Sequence, residues 1–249
     1  LKDVSIRWYQ SGTYPLQSLN YTYNELISAE KDALIFTDAN WTLFASYLLQ
    51  YGKGLFNDKK VIFSALMLTP FSMNELTEEL GIPEFKDADP EFYKSKTPTM
   101  TFANEMKKRI EHIAKYTKRP IYISVSTNEA VKNLLKDHLY GEGLLMRYSS
   151  KPYDNLAVMR RNFENTYLLD YLYETFYPET LTDVCLDLKG VKMLSIYYVP
   201  AFKSLLQFYK ESGDVTHYDK LYSLLESIVK KADYYSDEVR ERYLKSINF

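Results

Sequence analysis

Apolar residues in the first 150 positions alternate between two periods, which is the signature of a sheet covered by helices. Short β-branched or aromatic runs predict strands at Ala33 to Thr37, Lys60 to Leu68, Ile121 to Val125 and Gly143 to Tyr148. Asp38 stops the first, and Pro70 stops the second by biasing the residue before it away from helix. Between the strands the spacing turns helical. Trp41 to Tyr51 carries Phe44, Leu48 and Leu49 on one face, with Asn40 placed to cap it. Ser72 and Glu75 fit a capping box for a helix ending at Gly81. Thr101 opens a helix whose Phe102, Met106, Ile110 and Ile113 face inward while Lys107, Lys108, Arg109 and Glu111 face water, and Asn128 opens another through Leu139. The expected fold class is α/β: a three-layer sandwich with a mostly parallel sheet of about four strands and right-handed crossovers, the direction of the last strand left open.

After Ser149, Ser150, Lys151 and Pro152 the strand signal disappears, which divides the chain into an α/β domain (1–150) and a helical part (151–249). Val191 to Lys210 and His217 to Lys231 predict two amphipathic helices around the turn Glu211 to Asp214, and Ser236 to Ile247 a third. An antiparallel hairpin sets Phe202, Leu205, Leu206 and Tyr209 against Leu221, Leu224, Leu225 and Ile228, an arrangement similar to one tetratricopeptide repeat. Pro200 either kinks the first helix or marks its start.

Composition narrows the chemistry. With 46% hydrophobic and 16% aromatic residues the chain carries enough apolar surface for an ordered core. Lys and Arg (31) nearly balance Asp and Glu (33), so no net field recruits nucleic acid or an anionic membrane. Cys185 is the single cysteine, and His112, His138 and His217 stand in separate helices without an HxxxH partner; no metal site or cofactor is expected. No apolar run approaches the roughly 20 residues that span a bilayer. The chain begins at Leu1 with no signal-peptide pattern, and the expectation is a processed or excised piece that lacks an N-terminal portion.

The turn after the first strand, Thr37-Asp38-Ala39-Asn40, holds no glycine, so a phosphate cradle is not expected there. Asp38 nevertheless ends a strand, where α/β sheets place ligands, and Asp38, Asn40 and Thr42 are the candidate ligand-binding residues. The competing interpretation, that Asp38 and Asn40 only cap the next helix, carries more weight because both are preferred caps. No G-x-S-x-G elbow occurs, and no catalytic residue is assigned. Phe163, Tyr167 and Tyr171, in and just before the tyrosine-rich stretch to Tyr177, are aromatics able to stack on sugars or bases, but core packing is the stronger expectation.

Three sets of residues stand out together: Ile35-Phe36-Thr37 leading to Gly54, Asp58 and Val61; Arg119-Pro120-Ile121-Tyr122; and Glu142-Gly143-Leu144 with Arg147. These segments resemble the soluble region of bacterial multi-spanning membrane proteins of the protein O-mannosyltransferase-like family. The likeness covers roughly residues 14 to 231. Where the family has NGDND, this chain has Asp38, Ala39, Asn40, Trp41 and Thr42, so Asn40 and Thr42 replace two acids. The resemblance implies a soluble, periplasm-facing domain of an inner-membrane protein. Chemistry would occur in the missing membrane-spanning part on a lipid-linked sugar, and this domain would recognise a protein acceptor or partner while being inactive alone. A protein-binding scaffold using the helical hairpin, and a stand-alone α/β enzyme with a site near Asp38, are the alternatives.

Overall fold

The structure is a computed structural model that describes residues 1–86, 99–173, 194–232 and 235–248. Helices α1 (Lys2–Ser11) and α2 (Leu16–Ser28) lead into strand β1 (Leu34–Thr37). All four residues of β1 are buried, because it lies inside the sheet with helices over both faces. Strands β2 (Lys60–Phe63) and β3 (Ile121–Ser124) flank it in parallel, with Ile35 opposite both Val61 and Tyr122.

The sheet departs from the expected one. It has five strands, in the order β2-β1-β3-β5-β4, and β5 (Leu145–Tyr148) runs antiparallel to both β3 and β4 (Leu139–Gly141). Two pairings are parallel and two antiparallel, so the sheet is mixed rather than mostly parallel. The cause is connection length: only Glu142, Gly143 and Leu144 separate β4 from β5, enough for a hairpin and far too few for a crossover. The helix from Asn128 stops early for the same reason. Helix α7 is Glu129–Leu135, and a 3-10 turn at Lys136–His138 delivers the chain into β4. The second strand is also shorter than its apolar run, since Ser64–Met67 turns into helix α4.

Alternate residues of each strand reach opposite layers. Leu34, Phe36, Ile62, Ile121 and Ile123 pack with α5 (Pro70–Leu80), α6 (Thr99–Tyr116) and α7 (Glu129–Leu135). Ile35, Val61, Tyr122 and Leu145 pack with Leu26 of α2 and Leu43 of α3 (Asn40–Tyr47), which makes three layers. Cap positions shift slightly: Thr69, not Ser72, caps α5 by accepting from the Ser72 N–H at 3.2 Å, with Pro70 in the first position, where no amide is needed. Helix α5 ends at Gly81, whose φ of 64° is cheap only for glycine.

Arg109 reverses its expected place. It is 1% exposed, bonded through Nε to the Met67 carbonyl at 2.9 Å, paired with Glu105 and stacked 4.7 Å from the Phe85 ring. Nothing in the sequence hints at this, because Met67 and Phe85 lie outside α6.

Helices α8 (Asn155–Arg161), α9 (Tyr198–Ser212), α10 (Val215–Lys231) and α11 (Asp237–Ile247) follow the sheet. All eight apolar positions expected to meet in the hairpin lie in one core, which also takes in Tyr21 of α2 and Leu144. The helical residues therefore seal against the α/β layer. Gly213, φ 72°, ends α9, and Asp214 caps α10 by accepting from the His217 N–H at 3.2 Å. Pro200 lies in the first turn of α9 after a 3-10 turn at Ser195–Tyr197, so it marks a start and no kink is needed. Phe163, Tyr167 and Tyr171 are core residues. Residues 174–177 of the tyrosine run, Cys185 and positions 191–193 lie outside the described residues. No helix among the described residues is long and apolar enough to cross a membrane.

Candidate functional site

The carboxyl ends of β1, β2 and β3 bring a set of short polar side chains together. Thr37 closes β1: its hydroxyl accepts from the Ala39 N–H at 3.1 Å and lies 3.3 Å from the Ser126 hydroxyl. Ser64, after β2, donates to the Thr37 carbonyl at 3.2 Å, and Thr127, after β3, donates to the Phe36 carbonyl at 3.3 Å. Asp38 accepts from the Asn128 N–H at 2.7 Å. The turn after β1 is thereby fastened to the turn after β3.

Neither Asp38 nor Asn40 caps α3. Ala39 occupies the cap position, without a side-chain cap bond, and Asn40 is exposed at the first helical position. Thr42 is 1% exposed, so the three candidates divide: Asp38 and Thr42 face the interior edge and Asn40 faces water.

The residue that the sequence did not single out is Glu25. It arrives from α2, is wholly buried, and accepts from the Ser124 hydroxyl, which itself lies 2.8 Å from Ser126. Burial pushes its carboxyl up to about 8, opposed by the hydroxyls of Ser124, Thr42 and Tyr21. A carboxyl in that state is neutral at pH 7 and acts as a donor as well as an acceptor. Glu25 Oε2, Thr42 Oγ1, Tyr21 OH and Asp38 Oδ1 are all buried atoms without a hydrogen-bond partner. Tyr197 lies beside this group, its ring centroid 6.4 Å from that of Tyr21; burial raises its phenol first, and the neighbouring Tyr243, Glu25 and Asp38 add to it. An acid inside an amphipathic helix gives no sequence cue to its burial, so only the packing of α2 on β3 reveals it.

The histidines are committed elsewhere: His112 Nε2 lies 2.7 Å from the Pro83 carbonyl, His138 packs on Tyr148, and His217 pairs with Asp214 at 2.8 Å. Among the described residues no three His, Cys, Asp or Glu side chains are grouped to hold a metal.

The segments beyond the strand ends have structural roles. Arg119 Nε donates to the Asp32 carbonyl at 2.6 Å, and Arg147 pairs with Glu30. Glu142 is 2% exposed and accepts from Tyr153 OH at 2.6 Å; burial, the largest influence, raises its carboxyl. Gly143 has φ +115°, and a Cβ there would lie 2.5 Å from the Tyr167 hydroxyl, which accepts from the Leu144 N–H at 3.1 Å.

Comparison with protein-family models, with curated proteins and with solved structures finds no match to this chain.

Proposed function

We propose that this chain is a non-catalytic accessory domain of a membrane glycosyltransferase-like protein, recognising an acceptor or holding a partner on the periplasmic side. One observation carries the reading. At the sheet edge where an α/β enzyme would set its reacting groups, Thr37, Asp38, Ser64 and Thr127 are spent on fastening the strand ends and their turns, and Glu25 beneath them is sealed from solvent and bonded to Ser124. The segments resembling the protein O-mannosyltransferase-like family also serve the fold rather than a reaction, as Gly143 against Tyr167 and Arg119 on Asp32 illustrate. The test is the reading frame upstream of Leu1. Several apolar segments of about 20 residues are expected there, and a frame without them overturns the assignment.

A protein-binding scaffold of tetratricopeptide type is the second reading, favoured by the shared core of α9 and α10 and by Val215, 65% exposed at the start of α10. Pull-down from the source cells with the intact chain and with Val215→Asp separates the two. Identical captured partners count against a hairpin-borne scaffold.

A further inference from the structure

A cleft lies between α7 and the helical part. It measures about 570 Å³, and Val125, Met146, Met159, Pro200 and Ala201 supply apolar parts of its lining. Helix α7 and the turn after it supply Lys132 and Lys136 on one side, while Tyr197, Ser204 and Tyr243 line the other. Its size lies within the roughly 300–1,000 Å³ of small-molecule sites. Val125 also places it just beyond the carboxyl end of β3, where α/β sheets bind ligands.

The charges are the informative part. Lys132 Nζ donates to the Val125 carbonyl at 2.9 Å and pairs with Glu129 at 2.7 Å, which holds the ammonium still and leaves one of its three protons unspent. Lys136 follows one turn later, exposed, with no hydrogen bond or ion pair among the described residues. Like charges one turn apart repel, and Glu129 offsets only one of them. An anion settling between the two lysines relieves that repulsion. Across the cleft, Tyr197 keeps its phenol proton because burial and nearby Tyr243, Glu25 and Asp38 disfavour its anion, so it presents a donor and not a competing charge.

We propose that this cleft binds a small amphipathic anion: an aromatic or aliphatic body bearing one carboxylate, phosphate or sulfonate group. The body lies on Val125, Met146 and Met159 between the Tyr197 and Tyr243 rings, and the anionic end meets Lys136 and the free proton of Lys132. This site goes beyond the accessory-domain reading and stands without it.

Anilinonaphthalene sulfonate is a probe of that chemistry, titrated by fluorescence into the intact chain. The expected result is saturable binding at one site, weakened about tenfold or more by Lys136→Glu. Ser204→Asp, which puts a carboxylate on the opposite wall, weakens it in the same direction. Lys86→Glu, the same charge change at an exposed position outside the cleft, leaves the affinity unchanged. Lys136, Ser204 and Lys86 are all exposed, so the variants keep the fold. Absence of saturable binding, full affinity in both cleft variants, or an equal loss in Lys86→Glu overturns the proposal.

Discussion

The Asn128 N–H donates to the Asp38 carboxylate across 2.7 Å, joining two turns that are 90 residues apart in the chain. A charged acceptor on a backbone amide contributes about 1.5–3 kcal/mol. Asp38→Ala should therefore lower the unfolding free energy by about 1–3 kcal/mol, and Asp38→Asn by less, because an amide oxygen still accepts. Urea unfolding of the two variants checks the order.

Glu25 makes stability depend on pH. Its carboxyl titrates near 8 in the folded chain against an ordinary 4.5. Between those values the folded state keeps a proton that the unfolded chain has lost, so this contribution is complete below about pH 4.5 and disappears as pH rises through about 8. Glu25→Gln removes the dependence. Relative to wild type, the variant should gain on the order of 4 kcal/mol between about pH 5 and pH 8. Chemical denaturation across that range measures the difference, and parallel profiles would mean that Glu25 is ionised in the fold.

Gly143 is held by conformation and by space together. Gly143→Ala must adopt a φ of +115° and drive its Cβ into the Tyr167 hydroxyl, which breaks the bond to the Leu144 N–H. A loss of about 2–4 kcal/mol is expected. Tyr167→Phe removes only the hydroxyl and should cost about 1–2 kcal/mol by leaving that amide unpaired. Thermal unfolding of both variants distinguishes the two contributions.

Arg109 and Lys108 both pair with Glu105, but Arg109 is buried and Lys108 is half out in solvent. Arg109→Ala leaves the Met67 carbonyl without its donor and the buried Glu105 carboxylate with Lys108 alone, and should cost about 2–4 kcal/mol. Lys108→Ala should cost under about 1 kcal/mol. Equal effects in denaturant melts would contradict the burial of the guanidinium.

The elements that were legible in the sequence are those whose signal is local. β1 and β3 announce themselves as apolar runs, and the α9–α10 hairpin by its 3.6-residue period and by Gly213 with Asp214 at the turn. Strand β4 escaped because three residues following a helical pattern carry no alternation to detect. With β4 went the sheet's mixed character, since that hairpin turns β5 around. Arg109 looked like part of a wet basic cluster because its partners, Met67 and Phe85, come from distant segments. The candidate site was half visible: Asp38 was marked by its place at a strand end, but its partner Asn128 and the buried Glu25 are products of tertiary packing. Asn40, chosen with it, turned out exposed at the first position of α3.

The measurement that bears most directly on the central claim is sugar transfer and hydrolysis by the isolated 249-residue chain, assayed against lipid-linked and nucleotide-linked sugar donors. The account predicts no turnover above the uncatalysed rate, with Asp38→Ala changing stability alone. Turnover by the isolated chain that disappears in a folded Asp38→Ala variant would contradict it.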